Sequence, residues 1–276
     1  TEVQGNSSWA PPGGTLGTIV EQTMERVITL RIHRRQLEAE AEAQAGAPPF
    51  ASALRGDTVR VIAELKRRSP SKGAINEALS APDQAAAYAA GRAAAISVLT
   101  EPLHFNGSNA DLESVRGRVR IPLLKKDFHV DDVQLFEARA LGASAALLIA
   151  RALDPATLPR LVALAHRVGL ETLVEVRSAD ELARAVDAGA SVIGVNCRNL
   201  ETLEVDPRVA ESLVPRVPAG IVAVWESAIA SAADVERAAR AGADAVLVGS
   251  AVSAAANPEQ AVRALTQVPR RAGVRG

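Results

Sequence analysis

The sequence has very few lysines. Only four of its 31 basic residues are lysines, and they lie in two short segments: Lys66 and Lys72 in AELKRRSPSKG, and Lys125 and Lys126 in IPLLKKDF. Arginine always stays charged, whereas the pKa of a lysine amine moves readily on burial, so lysine can donate or accept a proton. Two lysine clusters beside acidic and hydroxyl residues therefore indicate amine chemistry at an anion-binding pocket. The alternative is a coding bias toward arginine with lysines surviving by chance.

Other scarcities exclude whole classes of protein. The single cysteine, Cys197, excludes an internal disulfide framework, and we expect a reducing, cytoplasmic compartment. A formal net charge of −1 argues against nucleic acid or a membrane surface as the main partner, and no apolar run approaches the about 18 residues of a membrane span. The four histidines lack the spacing of metal ligands. The first residues, TEVQGNSSWAPPGG, lack the regions of a signal peptide and predict a polar lead-in.

The rest of the chain repeats one unit. Four short apolar runs each follow a glycine that closes an alanine-rich helical stretch, at Gly91, Gly142, Gly189 and Gly242. Four more apolar runs lie between these, starting at Val59, Ile121, Glu171 and Gly220. Glycine suits the left-handed end of a helix, and such runs are typical of buried parallel strands. Eight strands alternating with helices predict an α/β fold, a (β/α)8 TIM barrel over residues 51–276, with an open doubly wound sheet as the alternative. Residues 1–50 then form the lead-in and a helical arm within one structural domain.

Chemistry in such a barrel belongs at the C-terminal ends of the strands. Six predicted strands end in polar residues, in the segments Glu64-Leu65-Lys66, Thr100-Glu101, Lys126-Asp127, Glu175, Asn196-Cys197-Arg198 and Glu226-Ser227. Because side chains alternate along a strand, Glu64 and Lys66 share one face, as do Asn196 and Arg198. If that face is inward, carboxylates, amines, an amide and a guanidinium converge at the barrel mouth, which requires a polar ligand or network. A rim of surface ion pairs is the alternative. On the opposite face we expect Lys125 to be solvated and Cys197 to pack in the core.

The eighth strand ends differently, in Gly249 and Ser250 followed by a short helical stretch. A glycine before the exposed amides of a helix start favours an anion, and phosphate sites recur at this place in such barrels. Ser69 and Lys72, in SPSKG, either contact the same anion or form a polar turn.

Several of these segments resemble the indole-3-glycerol phosphate synthase family. The similarity covers residues 15–266 in order and is most specific in KDF, in ExK with SPS, and in GVNxRxL. It implies a TIM-barrel carboxy-lyase of tryptophan biosynthesis. This enzyme would convert 1-(o-carboxyphenylamino)-1-deoxyribulose 5-phosphate to indole-3-glycerol phosphate, with release of carbon dioxide and water and with no cofactor or metal. We expect a monomer, and association with other enzymes of the pathway is left open.

The resemblance also assigns roles to individual residues. Lys126 would be the general acid that protonates the ribulose carbonyl oxygen, and Lys66 would contact the substrate carboxylate and act as an acid in the dehydration. Glu175 would be the base of that dehydration, and Glu64 would either orient a reacting group or remove a proton from it. The remaining assignments are Asn196, Ser227, Arg198 and Glu226 around the substrate hydroxyls and carboxylate, Ser69, Ala228, Gly249 and Ser250 at the phosphate, and Phe105 in an apolar loop over the ring.

Two departures from the family pattern lie on the seventh strand, which reads WESAI where the family reads AESGI. Trp225 replaces a small residue facing the helix layer, so either that layer opens or the side chain rises into the loop. Ala228 replaces a glycine whose amide would approach the phosphate. Two alternatives also stay open. One is another phosphosugar barrel enzyme, related to phosphoribosylanthranilate isomerase, whose acid and base would be Cys and Asp. The other is a catalytically idle barrel that binds a partner.

Overall fold

A computed structural model describes residues 9–276, and the first eight residues of the predicted lead-in lie outside the described residues. Eight parallel strands form a closed barrel: β1 (Arg60–Leu65), β2 (Ala95–Leu99), β3 (Leu123–Lys126), β4 (Ala145–Ile149), β5 (Glu171–Val176), β6 (Val192–Asn196), β7 (Val222–Glu226) and β8 (Ala245–Val248). Neighbours in the chain are neighbours in the barrel, and β8 pairs with β1. The predicted (β/α)8 barrel is confirmed, and the open sheet is wrong.

Helices surround the barrel and precede it. Their bounds are α1 (Gly14–Arg31), α2 (Arg34–Ala43), α3 (Phe50–Ala53), α4 (Ala81–Ala90), α5 (Pro102–Phe105), α6 (Asn109–Arg118), α7 (Asp132–Ala140), α8 (Thr157–Arg167), α9 (Ala179–Asp187), α10 (Pro207–Leu213), α11 (Ala232–Ala241), α12 (Ser250–Ser253) and α13 (Pro258–Arg263). A short antiparallel hairpin follows β1, and each of its two strands, Arg68–Ser69 and Gly73–Ala74, has two residues. Within residues 9–276, no helix has the length and hydropathy needed to cross a membrane.

The glycines that precede β4, β6 and β8 act as predicted. Gly142, Gly189 and Gly242 have φ of 84°, 83° and 94°, in the left-handed region that glycine adopts at little cost. The prediction for Gly91 is wrong, because its φ is −73° and the left-handed residue is Arg92, at 70°. A side chain at Gly91 would meet the backbone of α13 at 2.5 Å, so close helix packing explains this glycine.

The N-terminal segment packs against both ends of the barrel interior. Phe50 and Leu54, at and just beyond α3, are fully buried in the same core as the inward-facing strand residues. Glu171, which begins β5, accepts hydrogen bonds from the first amides of α3. At the other end, Leu16 and Ile19 of α1 are buried over the mouth. The arm therefore supplies both a floor and part of a lid.

Trp225 faces the helix layer, where it is 1% exposed. Its Nε1 donates to the carbonyl oxygen of Ser227 at 3.0 Å. The buried side chains that α10 and α11 give to the same core are mostly alanines, including Ala210 and Ala238. The helices around β7 thus contribute small residues where β7 contributes a large one. Of the two alternatives for Trp225, the helix layer opens around the side chain, and the side chain does not rise into the loop.

The expectation that Lys125 is solvated is wrong. Its side chain is 1% exposed, and its Nζ lies 3.5 Å from Asp127 and 3.5 Å from Glu137. Arg26 of α1 completes the group at 3.1 Å from Asp127. An outward-facing residue of a barrel strand points into the helix layer rather than into water, so a charge there needs partners. Cys197 packs in this layer, fully buried, as predicted.

Candidate active site

A cavity of about 960 Å³ opens at the C-terminal end of the barrel. Twelve of the thirteen predicted site residues line it: Glu64, Lys66, Ser69, Phe105, Lys126, Asn196, Arg198, Glu226, Ser227, Ala228, Gly249 and Ser250. The thirteenth, Glu175, lines an adjoining cavity of about 150 Å³ that shares Asn196 and Arg198 with the first. The tertiary structure therefore brings residues from seven of the eight strands and the loops that follow them to one place.

Glu64 is at the centre of the charged cluster and is fully buried. Its Oε1 lies 3.0 Å from the Nζ of Lys66 and its Oε2 lies 3.0 Å from the Nζ of Lys126. Ser97 of β2 also donates to Oε2, at 2.7 Å. Burial opposes ionisation of this carboxyl, but the charges of Lys126 and Lys66 and the Ser97 hydrogen bond outweigh it and lower its pKa to about 2. Glu64 is thus a permanent carboxylate that holds two ammonium groups.

The two lysines respond in opposite directions. For Lys66, burial outweighs the attraction of Glu64, and the nearby charge of Lys126 adds to the effect, so its pKa is lowered. For Lys126, the attraction of Glu64, Glu226 and Glu175 outweighs burial and raises its pKa. Lys126 is therefore held firmly protonated, whereas Lys66 is the more acidic ammonium.

Asn196 connects three strands at the mouth. Its Nδ2 donates to Glu175 Oε1 on β5 at 3.0 Å. Its Oδ1 accepts from Ser227 Oγ, just after β7, at 2.8 Å and from the backbone N–H of Arg198 at 2.9 Å. Since both ends of the amide are used, Asn196 fixes the orientation of the Glu175 carboxylate.

Glu226, by contrast, is buried without donors. Both of its carboxyl oxygens lack a hydrogen-bond donor among the described residues. Burial raises its pKa well above the usual range, the neighbouring Glu175 raises it further, and Lys126 opposes the rise. Glu226 is therefore protonated over a wider pH range than an ordinary glutamate.

The loops after β7 and β8 form a polar rim on the other side of the cavity. Gly249 and Ser250 follow β8, and Ser69 faces the same cavity from the loop after β1. A side chain at Gly249 would lie 2.9 Å from both Lys66 Nζ and Glu64 Oε1, so this glycine also leaves room for the ion pair. Ala228 has a φ of 58°, a left-handed conformation that costs an alanine about 1–2 kcal/mol.

Polar strand ends do not all join the site. Glu101 instead caps α5, where it accepts from the backbone amides of Leu103, His104 and Phe105 at 2.7–3.0 Å. Asp127 faces the helix layer with Lys125. Within residues 9–276, no group of three His, Cys, Asp or Glu side chains is arranged to hold a metal ion.

Sequence reasoning missed several residues of the site. Ser97, the buried donor to Glu64, is the single polar residue within β2, a signal that was available in the sequence. Phe128 belongs to the KDF motif, and its ring lies 6.2 Å from that of Phe105, centroid to centroid. With Ile19 and Leu200, these rings form an apolar wall beside the charged cluster. The contribution of Ile19, from the arm, has no signal in the barrel repeat.

The fold and the cluster define the class of protein. It is a (β/α)8 barrel with buried carboxyl and ammonium groups at the C-terminal end of the barrel and an apolar wall next to them, an arrangement typical of a barrel enzyme.

Comparison with known proteins gives the family. The family model described as indole-3-glycerol phosphate synthase matches residues 16–265. Indole-3-glycerol phosphate synthase 1 of Streptomyces coelicolor is 51% identical over 84% of this chain and 86% of its own length. The indole-3-glycerol phosphate synthase of Leifsonia xyli is 46% identical over 87% of this chain and 94% of its own. The chain belongs to the indole-3-glycerol phosphate synthase family.

Solved structures with little sequence similarity share the fold alone. The 3-hexulose-6-phosphate synthase of Salmonella typhimurium has a TM-score of 0.60 and 19% identity over 76% of this chain and 97% of its own. Thiamine phosphate pyrophosphorylase from Pyrococcus furiosus has a TM-score of 0.58 and 17% identity over 75% of this chain and 93% of its own.

Proposed function

We propose that this carboxy-lyase of tryptophan biosynthesis closes the indole ring of indole-3-glycerol phosphate by the residue roles described below. Its substrate is 1-(o-carboxyphenylamino)-1-deoxyribulose 5-phosphate, and the other products are carbon dioxide and water. The observation that carries the proposal is the Lys126–Glu64–Lys66 cluster, two ammonium groups at 3.0 Å from one buried carboxylate inside a large cavity. Such a cluster supplies positioned proton donors, which typically contribute about 10²–10⁴-fold to a rate.

The cavity offers a place for each part of this substrate. The phosphate fits the rim formed by Ser69, Gly249 and Ser250, where backbone amides and hydroxyls are available. The aromatic ring fits against Phe105 and Phe128. This arrangement directs the substrate carboxylate and carbonyl toward the lysines.

In the first step Lys126 acts as the general acid. The ring carbon that bears the carboxylate attacks the ketone carbon, a carbon–carbon bond forms, and the carbonyl oxygen takes a proton from the Lys126 ammonium. The bond to the carboxylate then breaks, carbon dioxide leaves, and its bonding electrons restore the aromatic ring. A raised pKa keeps Lys126 charged at neutral pH, and an alkoxide is basic enough to take its proton. Lys126 regains the proton from solvent.

The second step removes water. Lys66, the more acidic ammonium, protonates the departing hydroxyl, while Glu175 takes a proton from the methylene carbon beside the nitrogen. One proton leaves Lys66 and one arrives at Glu175, so transfer of one proton from Glu175 to Lys66 returns both residues to their starting state. Asn196 supports this step because it holds the Glu175 carboxylate in place.

An assay with purified protein tests this function against the two alternatives. We expect addition of the carboxyphenylamino substrate to produce indole fluorescence. Turnover of phosphoribosylanthranilate instead would support an isomerase, and inactivity toward both would support an idle barrel. The charged residues of the cluster favour the synthase, because an isomerase would carry its acid and base as Cys and Asp at other strand ends.

We further propose that the enzyme acts as a cytoplasmic monomer without a cofactor. The single cysteine favours a reducing compartment. Light scattering after size-exclusion chromatography tests the oligomeric state, and a mass of twice the 28.8 kDa chain would contradict it.

A further inference from the structure

Gly194 lies between two carboxyl-bearing strands of the site without contributing a side chain. It is the inward-facing residue of β6 one pleat before Asn196, and its Cα pairs with Glu175 on β5. On the other side, Asn196 pairs with Glu226 of β7. A methyl group at position 194 would lie 2.5 Å from Glu226 Oε2 and 2.8 Å from Leu173 Cδ2. The carboxyl of Glu226 therefore occupies the space that a side chain at position 194 would fill, next to the strand that carries Glu175.

The surroundings of Glu226 do not suit a carboxylate. Its oxygens are buried and receive no donor from the described residues. The neighbouring strand places Glu175 in register with Gly194, and after burial Glu175 contributes most to the raised pKa of Glu226. The charged groups that face it are Glu175 on β5, Glu64 on β1 and Lys126 on β3. A buried polar atom without a partner costs about 1–3 kcal/mol, and more when it is charged. A protonated Glu226 needs only an acceptor, and Glu175 supplies one.

We propose that Gly194 is a positioning residue whose missing side chain lets Glu175 and Glu226 meet as a carboxyl pair that holds one proton, with Glu226 as the neutral member in the ligand-free enzyme. Two carboxyl groups that share a site in this way titrate as a pair, because both cannot be ionised at close range.

The consequence for catalysis rests on the proposed function. Glu175 is the ionised member and is ready to accept the proton of the dehydration. When a ligand enters, the O–H group of Glu226 can exchange Glu175 for a substrate hydroxyl as its acceptor. After the dehydration the pair holds two protons, and one must pass to Lys66, which has just given one up.

Infrared spectroscopy of the ligand-free enzyme at pH 7 tests the pair without reference to activity. We expect the absorption of a protonated carboxylic acid, lost in Glu226→Gln. Glu181→Gln is the matched control, because burial also raises the pKa of Glu181, and the absorption should persist in it. If wild type shows no such absorption, or if Glu181→Gln removes it and Glu226→Gln does not, the proposal is wrong. Because this readout needs no turnover, an inactive enzyme would leave it standing.

Thermal unfolding gives a second test with a definite sign. A raised pKa means that folding binds a proton more tightly, so the stability cost of Glu226 grows as pH rises above the ordinary glutamate range. We expect Glu226→Gln to raise the unfolding midpoint at pH 8 and to change it less at pH 4. A midpoint that falls at pH 8 would show that Glu226 is an ionised, stabilising carboxylate.

Gly194→Ala tests the positioning role. The added methyl must push Glu226 away, and displacement of a catalytic group by about 1 Å can cost about a hundredfold in rate. We expect kcat to fall with a smaller change in KM, and the acid absorption to shift or disappear. Gly220→Ala, where the new methyl meets nothing within 4 Å, is the control. Adding Leu173→Val removes the second clash, so that a folding defect is separated from the effect on Glu226. Wild-type kcat and absorption in Gly194→Ala would overturn the assignment.

Discussion

Replacement of Lys126 separates the two roles of its ammonium group, which are proton donation and the ion pair with Glu64. We expect Lys126→Met to lower kcat at least about a hundredfold, the lower end of the range for a positioned general acid. KM should change much less, because the phosphate rim and the apolar wall do not involve Lys126. The same change also removes one of the two charges that hold Glu64.

The loss of stability in Lys126→Met depends on the hydrogen-bond and ion-pair partners that Glu64 retains. Removal of one partner from a buried ion pair costs about 3–5 kcal/mol when the other charge is left alone. Here Lys66 stays at 3.0 Å and Ser97 at 2.7 Å, so we expect a smaller loss, about 1–3 kcal/mol. For a chain of this size that corresponds to an unfolding midpoint lower by roughly 2–12 °C.

Lys126→Arg is the matched variant, because arginine keeps the charge but is a very poor proton donor. It should retain more of the stability than Lys126→Met and be nearly as inactive. Indole fluorescence gives kcat and KM, and differential scanning calorimetry gives the unfolding midpoint. Turnover above about a tenth of wild type in Lys126→Arg would refute proton donation by Lys126 and leave Lys66 as the acid of both steps.

Four further outcomes follow from the structure. Ala228→Gly should tighten substrate binding by up to about tenfold, because it removes a methyl group at the phosphate rim. The left-handed φ of 58° is present without a ligand, so relief of its strain should raise the free energy of unfolding. An unchanged or higher KM would mean that the rim has re-formed around alanine. Truncation before Val27 removes the part of α1 over the mouth and should raise KM more than it lowers the unfolding midpoint; the reverse would make the arm a structural plug. Lys125→Met should cost up to about 3 kcal/mol, because it breaks a buried pair, and a loss below about 0.5 kcal/mol would show that the lysine is solvated. In Glu226→Gln, where the opposing effect of Glu226 is absent, stability should fall as pH drops from about 6.5, because the folded pKa of His129 is about 3 and that of Glu64 is about 2, so the unfolded chain binds more protons. Denaturant titrations from pH 7 to pH 4 measure the slope, which adding His129→Leu should reduce.

Much of the fold could be predicted because its signals are local. The strand pattern, the helical stretches between strands and most of the glycines that end helices depend on neighbours a few residues away in the chain. The alternation of side chains also predicted correctly that Glu64 and Lys66 share one face, because this follows from strand geometry alone. That this face and Lys126 turn into the cavity is shown by the structure. The same local reasoning failed at Gly91, where the reason for a glycine is the backbone of a helix far along the chain.

The candidate site shows the same division. Sequence alone determined which residue types stand at the strand ends, and hence that a polar, ionisable mouth would form. It did not determine their pairing. Glu101 caps the helix that directly follows it, which is a local outcome. By contrast, the burial of Lys125 beside Glu137 and the contribution of Ser97 to the Glu64 cluster depend on elements that only folding brings together. The surroundings of Glu226 are the clearest case. The residue type could be read from the sequence, but its burial without a donor above Gly194, next to the strand of Glu175, depends on strand register and barrel closure, which bring β5, β6 and β7 together.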